Sequence, residues 1–107
     1  MITMKLSSPQ SYGLWDGDRL LAECEFSKNG DALVVERIDI FEPVEGLDAY
    51  DALLRAVTSF MSPFSPTTVI CRKPELFDEL VRLRFVQKGD MVESTPEEVL
   101  RHLCCEG

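Results

Sequence analysis

The sequence predicts an α+β domain built on a mixed sheet, in the order β-β-β-β-α-β-α-β-α, and three observations carry the prediction. The first half alternates apolar and polar residues with a period of two, punctuated by turn residues. At Leu47 the apolar period lengthens to that of a helix. Beyond it, short apolar runs alternate with helical stripes, so an antiparallel meander feeds a β-α-β crossover.

Met1 to Leu6 opens the meander, and Tyr12 to Trp15 forms the second strand, turned by Asp16-Gly17-Asp18. In the third, Leu20, Ala22, Cys24 and Phe26 alternate with Leu21, Glu23 and Glu25, giving one apolar and one largely wet face. Lys28-Asn29-Gly30-Asp31 closes the next hairpin, because Asn-Gly tolerates the positive φ of a tight turn. Leu33 to Phe41 is the fourth strand. Leu47, Tyr50, Leu53, Leu54, Val57, Phe60 and Met61 then form one helical stripe, which Pro63 and Pro66 end. Thr67 to Cys71 is a short β-branched strand, and Pro74 to about Leu83 is a helix facing inward through Leu76, Phe77, Leu80 and Val81. Phe85 to Val92 reads as one strand. Thr95, Pro96 and Glu98 have the spacing of a capping box for a last helix, docked by Val99, Leu100 and Leu103.

A chain of 107 residues, 45% hydrophobic and 28% charged, has the composition and size of a single soluble domain. Its N-terminal residues hold no apolar stretch long enough for a signal peptide or a membrane span, which predicts a cytoplasmic chain with no membrane partner. The net charge of −8 opposes binding to nucleic acid. Eleven carboxylates stand between Asp16 and Asp51 against Arg19, Lys28 and Arg37, so that segment carries the whole excess. Arg72, Lys73, Arg82, Arg84 and Lys88 form a basic stretch outside it, a solvated face or an anion or partner site. Cys24, Cys71, Cys104 and Cys105 lack C-x-x-C spacing and predict no disulfide framework. Cys24 and Cys71 read as small core hydrophobes. His102, Cys104 and Cys105 make a poor zinc set without a fourth donor, and no metal is expected.

From Leu20 to about Asp90 the chain resembles the GNAT superfamily of acetyl-CoA-dependent N-acetyltransferases. The residues carrying the resemblance are the hairpin Trp15-Asp16-Gly17-Asp18-Arg19-Leu20-Leu21-Ala22-Glu23, and Val34 to Met61 with Ala52-Leu53-Leu54 on its helix. Thr68 to Cys71 and Glu75 to Leu83 stand for the next strand and helix, and Leu83-Arg84-Phe85 falls where the family commonly has Leu-Gly-Phe. The resemblance implies a GNAT-like mixed sheet and acetyl-CoA or CoA as the cofactor. If CoA binds, it implies backbone contacts from Ile40, Phe41 and Gly46.

The chain departs from that family at three places. The pyrophosphate motif (Gln/Arg)-x-x-Gly-x-(Gly/Ala), where small residues and a helix N-terminus receive the anion, aligns with Glu45-Gly46-Leu47-Asp48-Ala49-Tyr50. Two carboxylates stand where a diphosphate would sit, a like-charge arrangement that opposes it, although acidic residues also cap a first helical turn. The tyrosine that many members use to protonate the leaving thiolate corresponds to Leu80. Between the first and second strands, Ser7-Ser8-Pro9-Gln10-Ser11 replaces the family's helix pair. Its loss would uncover apolar sheet, predicting a homodimer or a partner protein over it.

The candidate general base is Glu36, read as sharing a strand face with Val34, Ile38 and Ile40, where burial would raise its pKa; the alternative is a carboxylate paired with Arg37 or a cross-strand cation. Three functional readings follow. One is a GNAT-like domain degenerate for acetyl transfer, acting as a binding or regulatory module. Another is a reduced N-acetyltransferase for an unidentified amine, with Arg72-Lys73 meeting the phosphates from another side. The third is an acidic structural subunit docking a basic protein.

Overall fold

The computed structural model describes residues 1–105, with side chains as far as residue 100. Four antiparallel strands come first: β1 (Ile2–Ser8), β2 (Ser11–Asp16), β3 (Arg19–Asn29) and β4 (Ala32–Ile40). Only Pro9 and Gln10 separate β1 from β2, so the two strands form a hairpin directly. The helix α1 (Ala49–Met61) crosses to β5 (Thr68–Cys71), which lies parallel to β4. Its stripe ends where Pro63 enters a 3-10 turn, Ser62–Phe64. After β5 come a second 3-10 turn at Pro74–Leu76, the short α2 (Phe77–Arg82), the hairpin β6 (Val86–Lys88) and β7 (Met91–Ser94), and α3 (Pro96–Cys105). The sheet is mixed and seven-stranded, in the order β1-β2-β3-β4-β5-β7-β6. With its three helices this is the α+β arrangement that the sequence predicts.

Two elements differ in detail. The segment read as one strand from Phe85 to Val92 folds back at Gly89 and Asp90, with Lys88 opposite Met91, so it makes two strands. Each arm is too short for a two-residue period to reveal the turn between them. The second helix begins as a 3-10 turn because Pro74, lacking an N–H, tolerates that tight start. The last helix starts as its capping residues predict: the Glu98 N–H donates to Thr95 Oγ1 at 3.1 Å.

One apolar core joins sheet and helices. Leu14 of β2, Cys24 and Phe26 of β3, and Leu33, Val35 and Ile38 of β4 meet Leu53, Leu54 and Val57 of α1. Leu80 of α2 and Val99 of α3 belong to the same cluster. The other face of β1 to β4 carries a charged network together with the apolar side chains of Trp15 and Leu20. Arg37 forms ion pairs with Glu23 (3.4 Å), Glu25 (3.6 Å) and Asp39 (2.7 Å), and Lys5 Nζ lies 4.9 Å from the centroid of the Trp15 ring. The face that the short β1–β2 connection leaves open is therefore mixed, with the Arg37 network beside Trp15 and Leu20. Gly13 makes room for two side chains on this face. A Cβ there would come within 2.7 Å of both Leu20 Cδ1 and Trp15 Nε1.

Candidate functional site

Two features set the geometry of the middle of the sheet. The first is where β4 and β5 part. Ala32, Leu33 and Val34 pair with Thr68, Val69 and Ile70, but β5 ends at Cys71 while β4 continues to Ile40. Among the described residues no strand neighbours the β5-facing edge of β4 beyond that point, and an unpaired edge is a template for an extended ligand. The second is a β-bulge. Glu25 pairs with Arg37 and Phe26 with Val35, which leaves Glu36 as an extra residue on β4.

The bulge decides where Glu36 points. Ile38 stands in the core and Ile40 packs against it, together with Leu33 and Val35 on the near side of the bulge. Glu36 lies instead on the polar face, where Ser27 Oγ donates to Glu36 Oε2 at 2.7 Å. The sequence reading that placed Glu36 on one face with Ile38 and Ile40 is corrected here, because a bulge breaks the two-residue period. Glu36's partner is the Ser27 hydroxyl, while Arg37 is engaged by Glu23, Glu25 and Asp39. An open groove of about 340 Å³ passes Glu36 and is also lined by Gln10, Glu25, Ser27, Arg37 and Lys73. A carboxylate held by a hydroxyl at such a groove can take up a proton or hold a cationic group. Lys73 is the one member of the Arg72-Lys73 pair that lines it.

At the other end of β4 the chain enters α1. Gly46 takes a left-handed backbone (φ +80°), which an L side chain adopts only with strain, and the Leu47 N–H donates to the Val44 carbonyl at 3.1 Å. Asp48 is the N-cap: Oδ1 accepts from the Asp51 N–H at 3.4 Å. Its other oxygen, Oδ2, is 2.9 Å from Arg82 Nη1 at the end of α2. Arg82 also holds Glu79 at 2.8 Å. Partial burial pushes the Asp48 carboxyl up, but the Arg82 guanidinium and the Asp51 and Tyr50 N–H groups together bring it below the usual carboxylate value. Arg82 is raised in turn, by Asp48 first and then Glu79. Asp51 pairs with Arg55 one turn on. The α1 N-terminus thus holds an anion of its own, with a cation clamped to it from α2.

The remaining predicted residues fall as follows. Leu80 is fully buried in the core (0% exposed) and bears no proton to donate. Ile40 pairs with Ala22, and the Phe41 N–H already donates to the Leu21 carbonyl at 2.8 Å, so that donor is not free for a ligand. Tyr50 packs partly buried against the core, and Glu45 is exposed. Cys24 and Cys71 are core residues; burial pushes the Cys24 thiol up to about 12 and raises that of Cys71. Among the described residues no group of His, Cys, Asp and Glu is arranged to hold a metal. His102, Cys104 and Cys105 lie outside the residues whose side chains are described. Sequence reasoning missed the roles of Ser27 and Arg82. Arg82 stood in the basic stretch, but nothing in the sequence tied it to a residue 34 positions earlier.

No known family profile and no curated protein matches the chain. Solved structures do. The PaiA N-acetyltransferase of Thermoplasma acidophilum, in complex with coenzyme A, superposes with a TM-score of 0.64 at 12% identity, covering 79% of this chain and 59% of that one. The chain of the KacTA–DNA complex gives 0.62 at 16%, covering 91% of this chain and 73% of that one. The ribosomal-protein-S18-alanine N-acetyltransferase of Escherichia coli gives 0.60 at 10%, covering 81% and 68%. The chain thus spans about three-fifths to three-quarters of the length of these structures. At such identities the likeness establishes the fold, which is that of the GNAT acetyltransferases.

Proposed function

On that GNAT fold, we propose that the chain is degenerate for acetyl transfer and works as a binding or regulatory module for a protein partner in the cytoplasm. The observation carrying this reading is Asp48. Its carboxylate occupies the α1 N-terminus, accepting from the Asp51 N–H, and Arg82 neutralises it from α2. A diphosphate arriving there meets a like charge in possession of the same donors. Leu80, fully buried where a proton donor for the thiolate belongs, agrees with the loss. A protein partner is in keeping with a neighbour on this fold, the AtaT mutant toxin, whose structure was solved bound to the C-terminus of the antitoxin AtaR.

A second reading, a reduced acetyltransferase, is favoured by the parting of β4 and β5 and by Glu36 at the polar groove. Calorimetry and thermal shift with CoA and acetyl-CoA separate the two. A ligand present at about 100 times its Kd stabilises a protein by about 2.7 kcal/mol, a shift easily resolved. No shift at millimolar ligand is expected, and a clear upward shift would overturn the degenerate reading in favour of the second. In that event Glu36→Gln is expected to lower turnover without weakening CoA, and unchanged turnover would remove Glu36 as the base.

A further inference from the structure

The sheet has two edges, and they are built differently. At one end lies β6, three exposed residues ending in Lys88. At the other lies β1, seven residues long, with no proline and Lys5 as its one charge. Short or charged edges resist strand addition, whereas a long edge with few charges invites it.

The free hydrogen-bonding groups of β1 can be identified. The Gly17 N–H donates to the Met1 carbonyl at 3.3 Å, which marks those residues as a hydrogen-bonded pair. The register from Ile2↔Asp16 to Leu6↔Tyr12 is unbroken, so the alternation of an antiparallel ladder makes Thr3↔Trp15 and Lys5↔Gly13 the bonded pairs facing β2. The N–H and C=O of Ile2, Met4 and Leu6 then point outward. These are also the residues whose side chains share the core-side face: Met4 packs against the core, while Ile2 and Leu6 are 42% and 40% exposed.

We infer that β1 is an association edge to which a second copy of the chain adds its own β1 antiparallel, with Met4 opposite the partner's Met4. Centring the two-fold axis at Met4 uses all three outward residues, each donating one bond and accepting one. Ile2 then faces the partner's Leu6, and the apolar row continues past Leu6 to Tyr12, whose ring meets Phe60 edge-on at 5.8 Å. Other centres are poorer. An axis at Lys5 sets two ammonium groups directly opposite each other, which is destabilising, and an axis at Thr3 leaves Leu6 without a partner. In the Met4 register Lys5 instead faces the partner's Thr3. This inference goes beyond the binding role proposed above and does not depend on whether CoA binds. It also locates a second copy on the strand edge, not on the charged open face.

Strand pairing alone buries less than the roughly 1,200 Å² of a standard interface, so a reversible dimer in the micromolar range is expected. Sedimentation of the full chain from about 5 to 500 μM tests it, with three variants. Met4→Pro removes an outward N–H and leaves the donors that face β2, so it is expected to remain monomeric with an unchanged circular dichroism spectrum. Thr3→Glu sets a carboxylate opposite the partner's Lys5 twice per dimer, and is expected to lower the dimer Kd by about 2- to 30-fold. Thr3→Lys is expected to raise it by a similar factor. Thr3 is exposed, so both variants report even if Met4→Pro fails to fold. A wild-type monomer at every concentration would overturn the inference, as would a dimer indifferent to both Thr3 substitutions.

Discussion

Replacing Asp48 by alanine is expected to remove two interactions at once, and their sizes follow from the geometry. The bond to the Asp51 N–H is long, at 3.4 Å, and belongs toward the lower part of the 0.5–2 kcal/mol range of N-cap losses. The pair with Arg82 is short, at 2.9 Å, but both side chains are more than one-third exposed. Solvent screening holds such a pair to about 0.2–1 kcal/mol. Together they come to about 1–2 kcal/mol, or a Tm lowered by roughly 5–10 °C in a domain of this size. Asp48→Ser separates the terms, because serine still caps the helix while giving up the charge; its loss is expected to stay below about 1 kcal/mol. The folded carboxyl lies below its ordinary value, so its stabilisation is present above the unfolded pKa of about 3.9 and is lost as pH falls through the folded value. The gap between wild type and Asp48→Ala, measured by urea unfolding at pH 7, is therefore expected to narrow toward pH 3. An alanine variant as stable as wild type, or a serine variant as damaged as alanine, would refute this account of the α1 N-terminus.

The other predictions concern the core and the polar face. Leu80→Ala opens a cavity in a fully buried site and is expected to cost about 2–5 kcal/mol in urea unfolding, a loss that a solvated Leu80 would not show. Gly13→Ala forces a Cβ within 2.7 Å of Leu20 and Trp15, for an expected cost of about 1–3 kcal/mol; a neutral effect would show that these side chains move aside freely. In a chain with Cys104 and Cys105 changed to serine, Cys24 and Cys71 are expected to resist a thiol reagent at pH 8 until urea is added. Burial raises both thiols, so the stability this reflects is full below the ordinary thiol range and fades as pH rises through the folded values, for Cys24 toward about 12. Prompt labelling of the native protein would contradict that burial.

Much of the fold is legible because its signals are local. Asp16-Gly17-Asp18 and Asn29-Gly30 mark hairpins that form at those residues, and the stripe from Tyr50 to Met61 is one face of α1. The apolar stripe starts that helix at Leu47, but Asp48 caps it and helical geometry starts at Ala49. What escaped is either too short or too distant. The arms of the β6–β7 hairpin are three and four residues long, below the length at which alternation can be told from a continuous strand. The candidate site was half legible. The resemblance singles out Glu45, Asp48 and Leu80; in the structure Asp48 caps α1, Leu80 is buried in the core and Glu45 is exposed. The clamp from Arg82 and the bond from Ser27 to Glu36 depend on the packing of separate elements, which no spacing along the chain encodes.

The extra residue at Glu36 lets Val35 and Ile38, three positions apart, share the core face, and makes β4 a place where chain length can vary by one. Deleting that one residue would restore unbroken pairing with β3 and keep both sides in phase, because Phe26 would still face Val35 and Glu25 would still face Arg37. Ile38 would remain in the core opposite Cys24, and Arg37 and Asp39 would remain on the polar face. Substitutions at Glu36 leave this phase intact. Its deletion also leaves the phase intact, so a variant lacking Glu36 is expected to keep its core and to lose only the local bend and the bond from Ser27.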